Sequence, residues 1–373
     1  MKKIIIIISL LIISVSKLKT VNANDYLVNK AKSAILIDTQ TNTILYEKNS
    51  QNRLSMASMT KVMTLSIIYD EIKANRLNVE DEITTTQHAK EMGGSQVYLE
   101  VGEKHKLKEL LKCICISSAN DAAVAVAEHI SGNELEFVGK MNKKAKDLNM
   151  LDTKYLDATG LSDENYTTAH DMAIIGSYLV TNYEEVLDYT SLKEDYFRKD
   201  TDNPFWLVNT NKLVGRNVGV DGLKTGWTNK AGYCLTATMK KDNMRLLSVV
   251  MGYDNPIVRN NESLELLNYG FSNFKLIKVI DKNIIYKSLD NILYANNKVE
   301  LISKEDKFYI VNKLDNAQIT TKIKYNLNDK NNQGIVDVFL NNDYLFSTNL
   351  YIKDIKKKNI AKLFLDIIFK SLM

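Results

Sequence analysis

Strand-like patterns lie on both sides of a long helical stretch, which limits the folds open to this chain. Residues 34–47, AILIDTQTNTILYE, predict two short strands around a turn at Gln40–Asn42. Much later, VDGLKTG, GYCLTATMK and MRLLSVVMGY predict an antiparallel meander. Because paired strands must lie side by side, this order predicts one sheet built from both ends of the segment, with a helical region inserted. A helix at about 260–272 should pack on that sheet.

Helical periodicity fills the region between the strands. It runs from Ser58 to about Lys73, then through KLKELLKCICI and DAAVAVAEHIS, where Gly132 ends the helix. Further helices are predicted for ELEFVGKMNKKAKDLNM and TTAHDMAIIGSYLVTN. Together these elements predict a mixed α/β (α+β) fold.

The first 23 residues are predicted to be a secretory signal peptide. Lys2 and Lys3 precede the apolar run IIIIISLLIISV, and the small residues of Val21–Ala23 precede a cleavage site before Asn24. The run is too short to span a bilayer comfortably, which takes about 20 residues, and an uncleaved N-terminal anchor is the alternative. Loss of this segment would lower the formal charge from +4 to zero, which gives no general affinity for nucleic acid.

The end of the chain has a different composition. From about Leu276, short β-like runs alternate with Asn, Asp and Lys turns, which predicts a small all-β domain at 276–352. Residues 353–373 predict a basic amphipathic helix that is too short to cross a bilayer of about 30 Å. Its lysines and apolar face suit the surface of an anionic membrane, although docking on the protein itself is the alternative.

Three short motifs occur in order before that domain. Ser58 and Lys61 lie in ASMTK at the start of a predicted helix, one turn apart on the same face. Ser118-Ala119-Asn120 follows 60 residues after Ser58, at a junction between two predicted helices. Lys224-Thr225-Gly226 follows 106 residues after Ser118, on a predicted strand. Each triplet alone is a weak signal, but the ordered set is specific.

The first motif suits a serine nucleophile with a lysine as its base. Histidine is the usual base for a serine nucleophile, but none of the four histidines of the chain adjoins a motif. Burial and a second cation would lower the pKa of Lys61, and its neutral amine could then accept the proton of Ser58. Lys224 is predicted to be that second cation. The few histidines and the lack of clustered ligands argue against a zinc peptidase.

These residues resemble the low-molecular-mass penicillin-binding proteins, the serine-type D-alanyl-D-alanine carboxypeptidases. The likeness rests on ASMTKVMT, SSANDAAVAVAEHISG, FVGKMN, ATGL and DGLKTGWTNKAGYCLTAT, and it covers roughly residues 31–274. It implies a serine β-lactamase/transpeptidase-like domain at 24–275. The segments 276–352 and 353–373 are similar to the second domain and the membrane anchor of that family.

The resemblance implies a role for each residue of the first two motifs. Ser58 would attack the carbonyl of the penultimate D-alanine of a peptidoglycan stem peptide, with Lys61 as base. Ser118 would relay the proton to the leaving amine, and Asn120 would hold the substrate amide and Lys61. No metal or organic cofactor is implied, and penicillins would acylate Ser58 and inhibit the enzyme.

The third motif is implied to bind the substrate. Lys224 and Thr225 would meet its terminal carboxylate, and Gly226 completes the K-T-G triplet. The backbone N–H groups of Ser58 and Trp227 would form the oxyanion hole. Arg245, in MRLLSVV, matches a family arginine that helps to bind the carboxylate, and the alternative is a sheet-edge arginine with no role in the site. The implied location is the outer face of the bacterial cytoplasmic membrane.

Three alternative functions share these residues. A D,D-endopeptidase cuts cross-links with the same site, and a non-catalytic wall-binding scaffold could retain the fold. A class A β-lactamase has nearly the same motif spacing, but it needs a deacylating glutamate in an E-x-x-L-N segment. None of the glutamates between the second and third motifs begins an E-x-x-L-N segment: Glu128, Glu134, Glu136, Glu164, Glu184, Glu185 and Glu194.

Overall fold

A computed structural model describes residues 27–291, 297–327, 333–353 and 358–371. The predicted signal peptide lies outside the described residues. The helices of the described part are α1 (Lys61–Lys73), α2 (Gln87–Lys90), α3 (Leu107–Lys112), α4 (Asn120–Ser131), α5 (Glu134–Asp147), α6 (Ala169–Asn182), α7 (Leu187–Thr190), α8 (Pro256–Asn273) and α9 (Ile360–Ser371).

The strands up to α8 form one large sheet and three small two-stranded sheets. In chain order they are β1 (Ser33–Asp38), β2 (Ile44–Lys48), β3 (Leu54–Ser55), β4 (Glu82–Thr84), β5 (Lys104–Lys106), β6 (Tyr166–Thr167), β7 (Glu194–Phe197), β8 (Phe205–Val208), β9 (Val220–Thr228), β10 (Gly232–Lys241) and β11 (Met244–Tyr253).

The large sheet has the predicted construction from both ends of the segment. Its strand order is β2-β1-β11-β10-β9, and every neighbouring pair is antiparallel. The early strand β1 pairs with the late strand β11, from Ser33 opposite Met251 to Asp38 opposite Leu246. The K-T-G strand β9 is therefore an edge of the sheet, with one side open to the helical region.

Both faces of the sheet are covered, so the domain has three layers. In β1, Ile35 and Ile37 pack into the core shared with the helical region. Ala34 and Leu36 face the opposite way and pack into the core beneath α8. This alternation follows from the two-residue period of a strand. The sheet thus separates α8 from the inserted helices, and the mixed α/β prediction is confirmed.

The first two motifs lie at breaks in helical structure rather than inside regular helices. Residues Ala57–Thr60 form a 3₁₀ turn, and α1 begins at Lys61, three residues later than predicted. The predicted helix through CICIS ends in a π-helical turn at Cys113–Ser117. Ser118 then adopts a left-handed conformation with φ +66°, and α4 begins at Asn120. Such irregular turns are frequent at functional sites.

The three cysteines are buried and unpaired. Burial raises the pKa of the Cys115 thiol to about 12 and that of Cys234 to about 11. Burial also raises the pKa of Cys113. Protonated, inaccessible thiols are unreactive, so these residues act as small apolar packing groups.

The remaining strands form a separate β-rich part: β12 (Phe274–Ile280), β13 (Ile285–Asp290), β14 (Lys298–Ile302), β15 (Lys307–Asn312), β16 (Ile319–Tyr325), β17 (Gly334–Leu340) and β18 (Asp343–Ile352). Five of them form a sheet in the order β13-β14-β18-β17-β16, while β12 pairs with β15. The small core contains Val299, Leu301, Val336 and Leu350. The all-β prediction is confirmed, and the first of these strands begins two residues before Leu276.

The terminal helix α9 presents its apolar side chains to solvent. Ile360 is 87% exposed, and Phe364 and Phe369 are each 64% exposed. Lys358, just before the helix, is buried against Asp366 and Asn297. Among the described residues, no helix has both the length and the apolar character needed to span a bilayer.

Candidate active site

Ser58 lies in the 3₁₀ turn, held between the ATGL segment and the edge strand β9. Gly160 packs so closely on this turn that a Cβ there would lie 1.9 Å from the Ala57 carbonyl oxygen, and its φ is +85°. On the other side, a Cβ on Gly226 would lie 2.6 Å from the carbonyl oxygen of Met56. Side chains at either glycine would push the backbone of the turn away. The two glycines therefore fix the position of Ser58 and its N–H group.

Lys61 points back from the first turn of α1 toward the serine. Its Nζ lies 3.1 Å from Ser58 Oγ. It donates to Asn120 Oδ1 at 2.5 Å and to the carbonyl oxygen of Thr159 at 2.9 Å. The side chain is fully buried. A lysine amine thus links the first motif to the second and to the ATGL segment.

These contacts match the needs of a neutral amine. An uncharged amine has two N–H donors and one lone pair, whereas an ammonium group has three donors and no lone pair. The carbonyl groups of Asn120 and Thr159 accept the two N–H bonds. The remaining position faces Ser58 Oγ, where a lone pair can accept the hydroxyl proton. The same position lets a protonated Lys61 donate to Ser58 Oγ and a neutral Lys61 accept the hydroxyl proton.

The surroundings also favour the neutral form. Burial lowers the pKa of Lys61 well below its usual value, and the charge of Lys224 lowers it further. Asp157 and Asp121 oppose this shift through their negative charges. Burial lowers the pKa of Lys224 to about 7. These directions agree with the predicted pairing of the two lysines.

Ser118 and Asn120 lie beside Lys61. Ser118 is 3% exposed, and its buried Oγ makes no hydrogen bond to any described residue. Asn120 donates from Nδ2 to the carbonyl oxygen of Gly93 at 2.7 Å, so its Oδ1 is oriented toward Lys61. Its backbone N–H donates to the Ser95 carbonyl oxygen at 2.7 Å. Hydrogen bonds hold both polar atoms of the Asn120 side-chain amide, whereas the Ser118 hydroxyl group can still donate one hydrogen bond and accept another.

The third motif forms the opposite wall. Lys224 is 1% exposed and donates to the Thr225 carbonyl oxygen at 3.0 Å. Thr225 Oγ1 donates to Thr210 Oγ1 at 2.8 Å. Trp227 follows on the same strand with its ring 54% exposed, near the ring of Tyr233. The structure therefore brings eight of the nine predicted site residues to one place.

A cleft of about 450 Å³ opens between these walls. Three basic side chains line it, namely Lys212, Arg216 and Arg259. Among the described residues that line the cleft, none is acidic. This distribution of charge attracts an anionic group, such as a peptide carboxylate.

Arg245 lies outside this cleft, and the predicted carboxylate contact is not formed by that residue. Its guanidinium pairs with Asp221 at 2.7 Å and with Glu184 at 3.4 Å. Arg245 is opposite Lys240 on β10, whereas Gly226 is opposite Cys234. Six strand residues separate those positions, which corresponds to about 20 Å. The sequence placed the arginine on the correct sheet but at the wrong end.

Arg259 is the arginine that the sequence analysis missed. It lies in the first turn of α8, is 4% exposed, and donates from Nη1 to the Cys234 carbonyl oxygen at 3.1 Å. Burial lowers its pKa to about 10, which leaves it charged at neutral pH. The sequence does contain a signal that could have identified it, namely an arginine in PIVRNNE just after the end of a predicted strand. Its position over the K-T-G strand depends on how α8 packs.

Comparison with known proteins decides the family. The sequence profile of peptidase family S11, the D-alanyl-D-alanine carboxypeptidases, matches residues 19–255. The chain belongs to this family. It is 44% identical over 304 residues to D-alanyl-D-alanine carboxypeptidase DacF of Bacillus subtilis strain 168, which covers 81% of this chain and 75% of that protein.

Solved structures of penicillin-binding proteins share the fold of this S11 family member. Penicillin binding protein 5 from Haemophilus influenzae matches with a TM-score of 0.73 and 32% identity, over 87% of this chain and 96% of that one. Penicillin-Binding Protein D2 from Listeria monocytogenes, solved in an ampicillin-bound form, matches with a TM-score of 0.58 and 28% identity. That match covers 65% of this chain and 98% of the other.

Proposed function

We propose that this S11 family member is a serine D-Ala-D-Ala carboxypeptidase that acts on peptidoglycan stem peptides. The observation that carries the proposal is the position of the buried Lys61, whose Nζ lies 3.1 Å from Ser58 Oγ while Asn120 and Thr159 accept its other two hydrogen bonds. Burial and Lys224 lower its pKa, so its neutral form can take the proton of the Ser58 hydroxyl.

The reaction proceeds in two stages. Ser58 Oγ attacks the carbonyl carbon of the penultimate D-alanine while its proton passes to Lys61. The proton then passes through Ser118 to the amine of the terminal D-alanine, which leaves as the C–N bond breaks. Water attacks the resulting ester, gives a proton back through Lys61, and releases Ser58. The N–H groups of Ser58 and Trp227 stabilise the oxyanion in both stages.

The same serine accepts β-lactams but releases them slowly. A β-lactamase hydrolyses the acyl-enzyme with a carboxylate that activates water. The candidate glutamates are engaged elsewhere, for example Glu128 with His88 and Glu164 with Lys230. The described lining of the cleft contains no acidic residue. Penicillin is therefore an inhibitor rather than a substrate.

The test is to incubate the chain without residues 1–23 with a stem peptide ending in D-Ala-D-Ala, and separately with penicillin. We expect release of one D-alanine per peptide, and a stable adduct of one penicillin per chain by intact-mass measurement. Fast turnover of penicillin without an adduct would point to the β-lactamase. Cleavage of cross-linked dimers in preference to the peptide would favour the D,D-endopeptidase.

Arg259 is proposed to bind the carboxylate of the substrate, in place of Arg245. Replacement of Arg259 by leucine should lower the rate constant for penicillin acylation by roughly 100-fold, because a buried charge pair with the carboxylate is lost. A methyl ester of the same penicillin has no such charge. Acylation rates for the acid and the ester should therefore differ in the native protein and become similar in the variant.

Arg245→Leu provides the matched control. It removes a partner of Asp221 about 20 Å along the sheet from Gly226. We expect a loss of stability of about 1–3 kcal/mol, with the preference for the acid over the ester unchanged. A reversal of these two outcomes would restore Arg245 to the carboxylate site and exclude Arg259.

We further propose that α9 holds the protein on an anionic membrane surface from the outside of the cell. The exposed Ile360, Phe364 and Ile367 lie at i, i+4 and i+7 and give the helix an apolar face that the described protein does not cover. The helix is too short to span the bilayer, but it is long enough to lie within the interface. Nearby lysines add attraction to anionic lipid, although Lys358 is occupied by Asp366.

Sedimentation with phosphatidylglycerol-containing vesicles tests the anchor. Replacement of both Phe364 and Ile367 by serine should lower the membrane-bound fraction at least tenfold, because two large apolar side chains of the same face no longer enter the lipid. Leu314→Ser is the control, since Leu314 is 89% exposed but lies in the β-rich part. Equal binding of both variants would instead support a helix that docks on protein.

A further inference from the structure

A two-stranded hairpin beside the active-site cleft carries aromatic rings on its outer face. Strand β7 pairs with β8 so that Tyr196 lies directly opposite Trp206. Both side chains project from the same face, because residues opposite each other in an antiparallel pair share a face. Tyr196 is 44% exposed and Trp206 is 56% exposed. The inner face, with Phe197 and Leu207, is buried in the main core.

A third exposed ring lies next to the hairpin. Tyr98 is 66% exposed, and its ring packs edge-on against Phe205 with 6.0 Å between centroids. Phe205 is opposite Phe197 and so belongs to the inner face, which places Tyr98 at the rim of the hairpin and not on its outer face. We call Tyr98, Tyr196 and Trp206 the aromatic ledge. Tryptophan is highly buried on average, so an exposed tryptophan opposite an exposed tyrosine, with a third exposed ring at the rim, marks a surface for binding.

The backbone at Tyr98 is held in an unfavourable conformation. Its φ is +56°, in the left-handed region that bulky residues rarely adopt. The N–H groups of Val97 and Leu99 both donate to the Asp121 carboxylate, at 3.0 and 3.1 Å. Arg198 donates to the Tyr98 carbonyl oxygen at 3.0 Å. Glycine would fit this conformation without strain, so the ring itself is the reason for a tyrosine here.

The ledge is joined to the catalytic cleft by two short stretches of chain. Ser95 lines the cleft and lies three residues before Tyr98, and Thr210 lines it four residues after Trp206. An extended chain spans at most about 3.5 Å per residue. The Cα atom of Tyr98 therefore lies within about 10 Å of that of Ser95, and the Cα atom of Trp206 lies within about 14 Å of that of Thr210. Asp121, which holds the backbone on both sides of Tyr98, directly follows Asn120 of the second motif.

We propose that the aromatic ledge binds the glycan strand to which the stem peptide is attached. Pyranose rings present apolar C–H faces that stack on tyrosine and tryptophan rings, while their hydroxyl groups remain available to polar neighbours. The hairpin loop between β7 and β8, RKDTDNP, supplies such polar groups. The inference rests on the proposed carboxypeptidase function, because a peptide in the cleft brings its own glycan close to the ledge.

The ledge should therefore matter for substrates that carry sugar and for no others. Three reactions separate the possibilities: acylation by soluble penicillin, D-alanine release from a free stem pentapeptide, and D-alanine release from the same peptide on uncross-linked glycan strands. In Tyr98→Gly and Trp206→Ser, we expect kcat/KM for the strand substrate to fall about tenfold. The first two reactions should stay within twofold of the native rates.

Tyr98→Gly distinguishes a binding role from a structural one. The variant relieves the left-handed backbone, so its thermal midpoint should equal or exceed the native value. Tyr344→Ser is the matched control, since that ring is 59% exposed in the β-rich part, and it should leave all three reactions unchanged.

Several results would overturn the proposal. If both ledge variants cleave the glycan-strand substrate at the native rate, the ledge does not bind glycan, and a protein partner becomes the better explanation of its exposed rings. A parallel fall in all three reactions, or a lower thermal midpoint of Tyr98→Gly, would show that the rings support the fold. If the native protein releases no D-alanine from either peptide substrate, the proposed function itself fails. Binding of peptide-free glycan strands, followed by calorimetry, would still test the ledge separately.

Discussion

Replacement of Ser58 by alanine should abolish both peptide cleavage and the penicillin adduct. The covalent intermediate cannot form without the hydroxyl group, so we expect kcat/KM for D-alanine release to fall by roughly 10⁵-fold or more. Intact-mass measurement after incubation with penicillin should show the unmodified chain. The fold should remain intact, because Ser58 lies in a turn that is positioned by backbone contacts around Gly160 and Gly226.

Ser55→Ala is a suitable control for that experiment. Ser55 is a buried serine three residues earlier, and its hydroxyl makes no hydrogen bond to any described residue. Its loss should leave the adduct and the cleavage rate close to native. Any persistent adduct on Ser58→Ala would identify another nucleophile and contradict the mechanism.

Replacement of Lys61 by methionine should have the second largest effect. Methionine fills a similar volume but cannot accept a proton, so we expect the acylation rate to fall roughly 10³- to 10⁴-fold. Lys146→Met, at an exposed position of α5, should acylate at the native rate. A Lys61→Met rate within tenfold of native would exclude the lysine as base.

The pH dependence of acylation gives an independent measurement of the same residue. The base must be neutral, so the native rate should fall as the pH drops through the pKa of Lys61 and rise above it. Because burial and Lys224 lower that pKa, the rising limb should lie well below pH 10.5, the ordinary value for lysine. In Lys61→Met, the slow residual reaction should lack this limb.

The three triplets could be recognised in the sequence because each of them is short and contiguous. Ser58 and Lys61 are one helical turn apart, and the other motifs are also short and contiguous. The strand patterns likewise predicted the large sheet, since the short β-like runs of β1 and β9–β11, separated by turns, are visible without knowledge of their partners. Irregular backbone was less accessible: the 3₁₀ turn at Ser58 and the left-handed Ser118 depend on packing against β9 and on the end of a π-helical turn.

Long-range packing explains where the sequence failed. Arg245 and Arg259 are both adjacent to strands of the large sheet, and nothing in the local sequence tells which end of the sheet each one reaches. The hairpin β7–β8 was not predicted because its runs, EDYF and FWLV, are short and do not alternate cleanly. Its outer face became evident only through the cross-strand pairing of Tyr196 and Trp206.

The pairing of β1 with β11 has a consequence for how the protein acquires activity. Strands that are more than 200 residues apart must meet before the sheet is complete, which gives the domain many contacts of high sequence separation. Such contacts slow folding, because a long loop has to close first. A ribosome-bound chain that ends before Tyr253 holds Ser58 and Lys61 but lacks part of the sheet that supports them. Reactivity therefore begins late in biogenesis, when the last central strand has joined the first.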